Sequence, residues 1–123
     1  MGATSSGTED ESGFRNEVVL RGRVSAAPQE RTLPSGARVV VVRLVIGREQ
    51  TVMTRGSRQR SDWVECAAWS GGMRRKMLRW DEGDVVEVSG SLRRRHYRSA
   101  AGSSSIVEVE ALDGRRITRA SPT

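Results

Sequence analysis

Cysteine and histidine are nearly missing from this sequence, and proline is scarce: one Cys, one His and three Pro in 123 residues. A lone Cys66 excludes an intrachain disulfide, and Cys66 with a lone His96 excludes the Cys/His spacings that hold zinc. No apolar run approaches the ~18 residues of a membrane span, and no basic-then-apolar signal pattern opens the chain. The expected setting is a reducing cytoplasm, with no membrane partner. Enzymatic chemistry finds little to work with. His96 lies within Arg93-Arg94-Arg95-His96-Tyr97-Arg98, a poor setting for a general base that must become cationic. No glycine-rich phosphate loop follows a strand and opens a helix, and the acids form no paired set suited to a metal. The chain therefore reads as a non-enzyme without a cofactor.

Lysine is rare as well, Lys76 being the only one among 21 basic residues. The formal net charge is +6, and residues 1–14 hold −3 through Glu9, Asp10 and Glu11, leaving +9 on the remainder. A single small domain with that excess suggests a polyanionic partner, most often nucleic acid. The organisation expected is a disordered acidic N-terminal tail over residues 1–14, a folded domain over 15–113 and a short basic tail over 114–123.

Hydrophobic alternation marks the strands. Glu17 to Val24 places Val18, Leu20 and Val24 inward, with Gly22 on that face as a bend. Leu33-Pro34-Ser35-Gly36 is a turn. Arg38 to Arg48 puts Val40, Val42, Leu44 and Ile46 on one face. Its other face, Val39, Val41, Arg43 and Val45, is still apolar enough to need covering, and a partner subunit is the expected cover. After the Ser70-Gly71-Gly72 break, Met73, Met77 and Trp80 share one side of a short helix that plugs a barrel end, which makes Trp80 a core residue. Val85 to Leu92 turns Val86, Val88, Gly90 and Leu92 inward and runs on into the arginine cluster. A Ser/Ala/Gly loop extends to Ser105, and Ile106 to Leu112 closes the set.

The stretch around which the rest is arranged is Asp62-Trp63-Val64-Glu65-Cys66-Ala67-Ala68-Trp69. Strand side chains alternate, so Trp63 and Trp69 share one face, about 20 Å apart at roughly 3.3 Å per residue. Small apolar Val64, Cys66 and Ala68 take the other. Two indoles on an outer face form a stacking platform for bases. Alternation also places Arg93, Arg95 and Tyr97 together, and Arg55, Arg58 and Arg60 form a loop patch with no acid among them. Glu65 between the tryptophans would repel phosphate unless Arg43 or another cation neutralises it.

The order strand, strand, strand, helix, strand, strand is the plan of an all-β, five-stranded OB-fold Greek-key barrel with one short helix between strands 3 and 4. Asn16 to Val24, Leu33-Pro34-Ser35-Gly36, Val42-Arg43-Leu44, Asp62-Trp63 with Trp69-Ser70-Gly71, and Gly83 to Arg93 together resemble the bacterial single-stranded DNA-binding protein family, over roughly residues 16–113. The resemblance implies single-stranded DNA as partner, bound with little sequence preference in replication, repair or recombination. It also implies a homo-oligomer, a tetramer rather than a dimer. Trp63, Trp69 and Tyr97 match stacking positions, and Arg43 and Arg93 match groove-lining positions. A further aromatic of the family falls near Gln50, where this sequence has none. Housekeeping members end in a long tail with an acidic tip that recruits partners. The ending Arg119-Ala120-Ser121-Pro122-Thr123 is basic, so no recruitment of that kind is expected and a specialised paralogue is implied. Two alternatives use the same fold: an interaction subunit similar to primosomal replication protein N, and an RNA-binding module.

Overall fold

Valine-rich alternation sets the frame of the barrel. In the computed structural model, which describes residues 13–121, strand β3 (Arg38–Gly47) buries Val40, Val42 and Leu44 completely or nearly so. It pairs antiparallel along its length with β4 (Ser61–Ala68), which contributes Cys66 and Ala68 to the same interior. Strand β1 (Val18–Val24) adds Val24, β5 (Val85–Ser99) adds Val86 and Val88, and β6 (Gly102–Thr118) adds Val109 and Ala111. Around the barrel the order is β1-β5-β6-β4-β3, and β3 pairs back onto β1 to close it. This is the expected closed five-stranded architecture with a short helix, α1 (Gly71–Leu78), between the third and fourth barrel strands. Ser70 caps α1 by accepting from the Met73 N–H, and Met73, Met77 and Trp80 plug one end of the core as their spacing predicts. Among the described residues no helix is long and apolar enough to cross a membrane.

Two glycines make the curvature possible. Gly22 immediately precedes Arg23, where β1 passes from pairing with β5 to pairing with β3, and a Cβ at Gly22 would stand 2.7 Å from the Val45 carbonyl oxygen. At Gly90, beside a register shift in the β5–β6 ladder, a Cβ would overlap the Glu110 carbonyl. Both positions are inward-facing bends, as the alternation implies.

Several expectations are corrected. A further strand, β2 (Gln29–Thr32), forms a hairpin with the start of β3. Its sequence, Gln-Glu-Arg-Thr, carries no apolar signal because all four residues are exposed. The outer face of β3 is covered in part by the chain itself, with Val41 and Val45 left half-buried. Val39 and, beside it on β4, Ala67 are buried within the chain, under a rim that includes Arg31, Leu33, Trp69 and Arg95. Leu92, expected inside, is 47% exposed, because β5 has by then run past the mouth of the barrel. The supposed loop before Ser105 is strand: β5 and β6 pair out to Ser99↔Gly102, making an arm that extends from the barrel. Residues 114–118, expected in a basic tail, continue β6 and pair with Val85 to Val88. The acidic run Glu9 to Glu11, and with it most of the expected N-terminal tail, lies outside the described residues.

A buried carboxylate explains why the chain beyond residue 113 belongs to the domain. Asp84 is almost wholly buried and accepts hydrogen bonds from the Asp81 N–H at 2.9 Å and the Ala120 N–H at 2.7 Å. Arg116 Nε completes the set at 2.8 Å, and its Nη2 donates to the Arg79 carbonyl at the end of α1. One side chain thus fastens the helix end, the turn before β5 and the end of β6. Burial alone would raise the Asp84 pKa, but the two N–H donors and Arg116 outweigh it and hold the carboxyl below its usual range. The stability this contributes is full above the unfolded carboxyl's pKa of about 3.9 and is lost as pH falls through the lower folded value. Asp84→Asn should therefore cost about 3 kcal/mol at neutral pH by stranding Arg116. Urea unfolding followed from pH 7 down to pH 2 should show the gap between parent and variant closing in acid.

Candidate nucleic-acid interface

The outer face of β4 carries the first ring. Trp63 is 54% exposed and cannot turn inward, because the interior beneath it is filled by Val64, Cys66 and their β3 neighbours. The Arg43 guanidinium lies over the indole, 4.0 Å from the ring centroid. Such a contact fixes the ring and leaves its opposite face for a ligand. Trp69, just past the end of β4, is 40% exposed and borders the shallow cavity over Val39 and Ala67. Arg95 and Glu108 line the same cavity, so the second indole adjoins the β5–β6 arm. Tyr97, 45% exposed, stands further out on that arm, with the Arg95 guanidinium 5.9 Å from its ring centroid.

Glu65 joins these pieces. Its carboxylate lies 3.5 Å from Arg43 Nη2 and 3.9 Å from Arg95 Nη2. Arg95 also pairs with Glu108 at 3.1 Å, and Arg93 with Glu110 at 3.0 Å. The acid between the tryptophans is therefore neutralised, by Arg43 as anticipated and by Arg95 as well. Three arginines face three glutamates here, so the surface is aromatic and charge-balanced rather than simply basic. Each ion pair occupies only part of a guanidinium's five N–H groups, and the rest stay available to a further acceptor.

Trp63, Trp69, Tyr97, Arg43, Arg93 and Arg95 are thus brought onto one surface. Arg55, Arg58 and Arg60 are not. They sit exposed in the loop between β3 and β4, and no ion pair or ring contact among the described residues links them to the tryptophans. That loop is ordered by its own bonds. Thr54 Oγ1 donates to the Glu49 carbonyl and accepts from the Thr51 N–H, both at 2.7 Å, and Arg48 pairs with Asp62 at 3.2 Å. Sequence reasoning missed Glu108 and Glu110, whose place opposite the arginines depends on the β5–β6 register. It also missed Arg31 and Leu33 on the cavity rim, since β2 went unrecognised. Among the described residues there is no group of acids, His and Cys able to hold a metal.

The closed barrel with this strand order and helix position is an OB-fold. Residues 15–115 match the single-strand binding protein family. The chain is 30% identical over 97 residues to single-stranded DNA-binding protein A of Bacillus subtilis, covering 78% of this chain and 55% of that protein. It is 31% identical over 98 residues to single-stranded DNA-binding protein 1 of Staphylococcus aureus, covering 80% and 58%. It spans little more than half the length of these two relatives. Among solved structures, that described as Plasmodium falciparum SSB complex with ssDNA superposes with a TM-score of 0.66 at 21% identity, covering 96% of this chain and 98% of that one. The chain belongs to the single-strand binding protein family.

Beneath this face, burial pushes the Cys66 thiol up to about 12, with Glu108 and Glu65 adding to the effect. The thiol should stay unmodified by iodoacetamide at pH 8 in the folded protein and react fully in urea, as read by intact mass. Rapid labelling without denaturant would contradict the packing described.

Proposed function

We propose that the chain binds single-stranded DNA with little sequence preference, stacking bases on Trp63, Trp69 and Tyr97 and holding phosphates with arginine. The observation that carries this reading is the surface itself: two indoles and a phenol exposed on one side of a closed barrel, with guanidiniums against two of the rings. Any base offers a ring face, so stacking gives affinity without sequence choice. Arg43, Arg93 and Arg95 would add phosphate contacts through N–H groups that their glutamates leave unused, and Arg55, Arg58 and Arg60 through the neighbouring loop. DNA rather than RNA is favoured by the names of the bacterial relatives. The role that fits is protecting or organising single strands during replication, repair or recombination.

The working form is a homo-oligomer, and a tetramer is the state proposed. The support is a separate exposed apolar patch, Val19 and Leu112, where β1, β5 and the bulge of β6 meet. A solution mass four times that of the chain would bear this out, and a monomer mass would refute it.

Unstructured oligo-dT should quench tryptophan emission, and its affinity should fall steeply with salt. Each stacked base is worth about 1–3 kcal/mol, so replacing Trp63 and Trp69 together by alanine should weaken binding by at least about 30-fold. Unaltered urea unfolding of the variant would show that the loss is one of contact. Binding as tight as the parent's would rule out the stacking site.

A further inference from the structure

Glu65 is the one acid on the β4 face that carries Trp63, two residues away. The β3–β4 register sets it directly opposite Arg43, which makes Trp63 the diagonal neighbour of Arg43, within reach of a long side chain. The two carboxylate oxygens hold different guanidiniums: Oε2 lies 3.5 Å from Arg43 Nη2, and Oε1 lies 3.9 Å from Arg95 Nη2. The two arginines do not depend on it equally. Arg95 has a closer partner in Glu108, at 3.1 Å. Arg43 has Glu65 as its only carboxylate among the described residues, and its guanidinium is the one that lies over the Trp63 ring, 4.0 Å from the centroid. The Arg43 side chain is 48% exposed, so little else restrains it, whereas Glu65 is only 16% exposed and stands on a paired strand.

We infer that Glu65 is a positioning residue for base stacking: it anchors the Arg43 guanidinium against one face of Trp63 and so presents the opposite face to a base. The inference rests on the stacking reading of this surface, and it concerns a residue that touches neither base nor phosphate. The sign of its effect separates it from simple electrostatics. An anion beside a bound strand repels phosphate, so by Coulomb attraction and repulsion alone its removal would tighten binding. An anchor acts in the opposite direction. With Glu65 in place, guanidinium and indole are already ordered before a base arrives. Without it, the long Arg43 side chain is free to leave the ring, and a stacking base must order both groups at the cost of their side-chain entropy. Tyr97 is spared in this scheme, because Glu108 still holds the Arg95 guanidinium beside it. The effect of Glu65 is therefore confined to Trp63 and is carried by Arg43.

The test uses the full chain with Glu65→Gln, which keeps the side-chain shape and removes the charge. The variant should bind oligo-dT at least about threefold more weakly than the parent, and the loss should persist in about 1 M salt, where the Debye length is about 3 Å and repulsion between separated charges is screened. Binding as tight as the parent's, or tighter, would overturn the inference. A double-mutant cycle with Arg43→Gln shows whether Glu65 acts through Arg43. In the Arg43→Gln background, Glu65→Gln should weaken binding no further, and a second loss of the same size there would also overturn the inference. The free protein gives an independent readout. In a ¹⁵N-labelled sample, Glu65→Gln should move the Trp63 indole N–H resonance while those of Trp69 and Trp80 and the urea midpoint stay where they are. A Trp63 resonance that does not move would overturn the inference. If oligo-dT fails to quench the parent at all, the stacking reading falls on its own, and the indole resonance still decides whether Glu65 fixes the ring.

Discussion

Closure of a narrow barrel through two short seams is the constraint on which the remaining features depend. β1 meets β3 only at Arg23↔Val45 and Val24↔Leu44, and β4 meets β6 only at Cys66↔Val109 and Ala67↔Glu110. Strands that change partners this abruptly must bend, hence Gly22 and Gly90, where backbone from another strand occupies the space of a side chain. The interior so enclosed takes mostly valine, alanine and cysteine along the strands, with Leu44 as the largest fully buried strand residue, and holds Met73, Met77 and Trp80 at the end plugged by α1. Trp80 finds room there. Trp63 and Trp69 do not, and closure itself leaves them on the outside.

Exposed indoles and a half-buried carboxylate on the same strand face create an electrostatic problem that the fold solves with arginine. Glu65 is set between the tryptophans, over Cys66, and would present an uncompensated anion if Arg43 and Arg95 did not converge on it. Those guanidiniums also lie against Trp63 and Tyr97. One set of contacts therefore cancels charge and orients rings. On the proposed reading, stacking would supply the larger share of the binding energy here, with the N–H groups that the glutamates leave unused adding phosphate contacts. Arginines without a carboxylate partner among the described residues lie elsewhere, including Arg55, Arg58 and Arg60 of the β3–β4 loop.

Much of this was legible in the sequence because burial and alternation coincide inside the barrel. Val40, Val42, Leu44, Cys66, Val86 and Val88 read as inward and are. Where pairing continues without burial, the signal vanishes. β2 and the Ser103–Ser105 half of the arm are strands by hydrogen bonding alone, and the end of β6, Gly114-Arg115-Arg116-Ile117-Thr118, has one apolar side chain. Leu92 shows the converse, an apolar residue in correct phase on a strand that has outrun its core. The two tryptophans and Arg43 share neighbouring strands, so their association could be read from period two. The partners of Arg93 and Arg95 could not, because a β5–β6 register shifted at Ser89/Gly90 decides which acid faces which arginine.

The account stands on unpaired bases meeting the rings of Trp63 and Trp69 while the barrel interior is untouched. The three tryptophan indole N–H resonances in a ¹⁵N-labelled sample report this site by site, since Trp80 is only 3% exposed and serves as the internal reference. On titration with oligo-dT, the Trp63 and Trp69 signals should shift and the Trp80 signal should hold its position. Movement of Trp80 alone, or no movement of the other two at saturating oligonucleotide, would contradict the account.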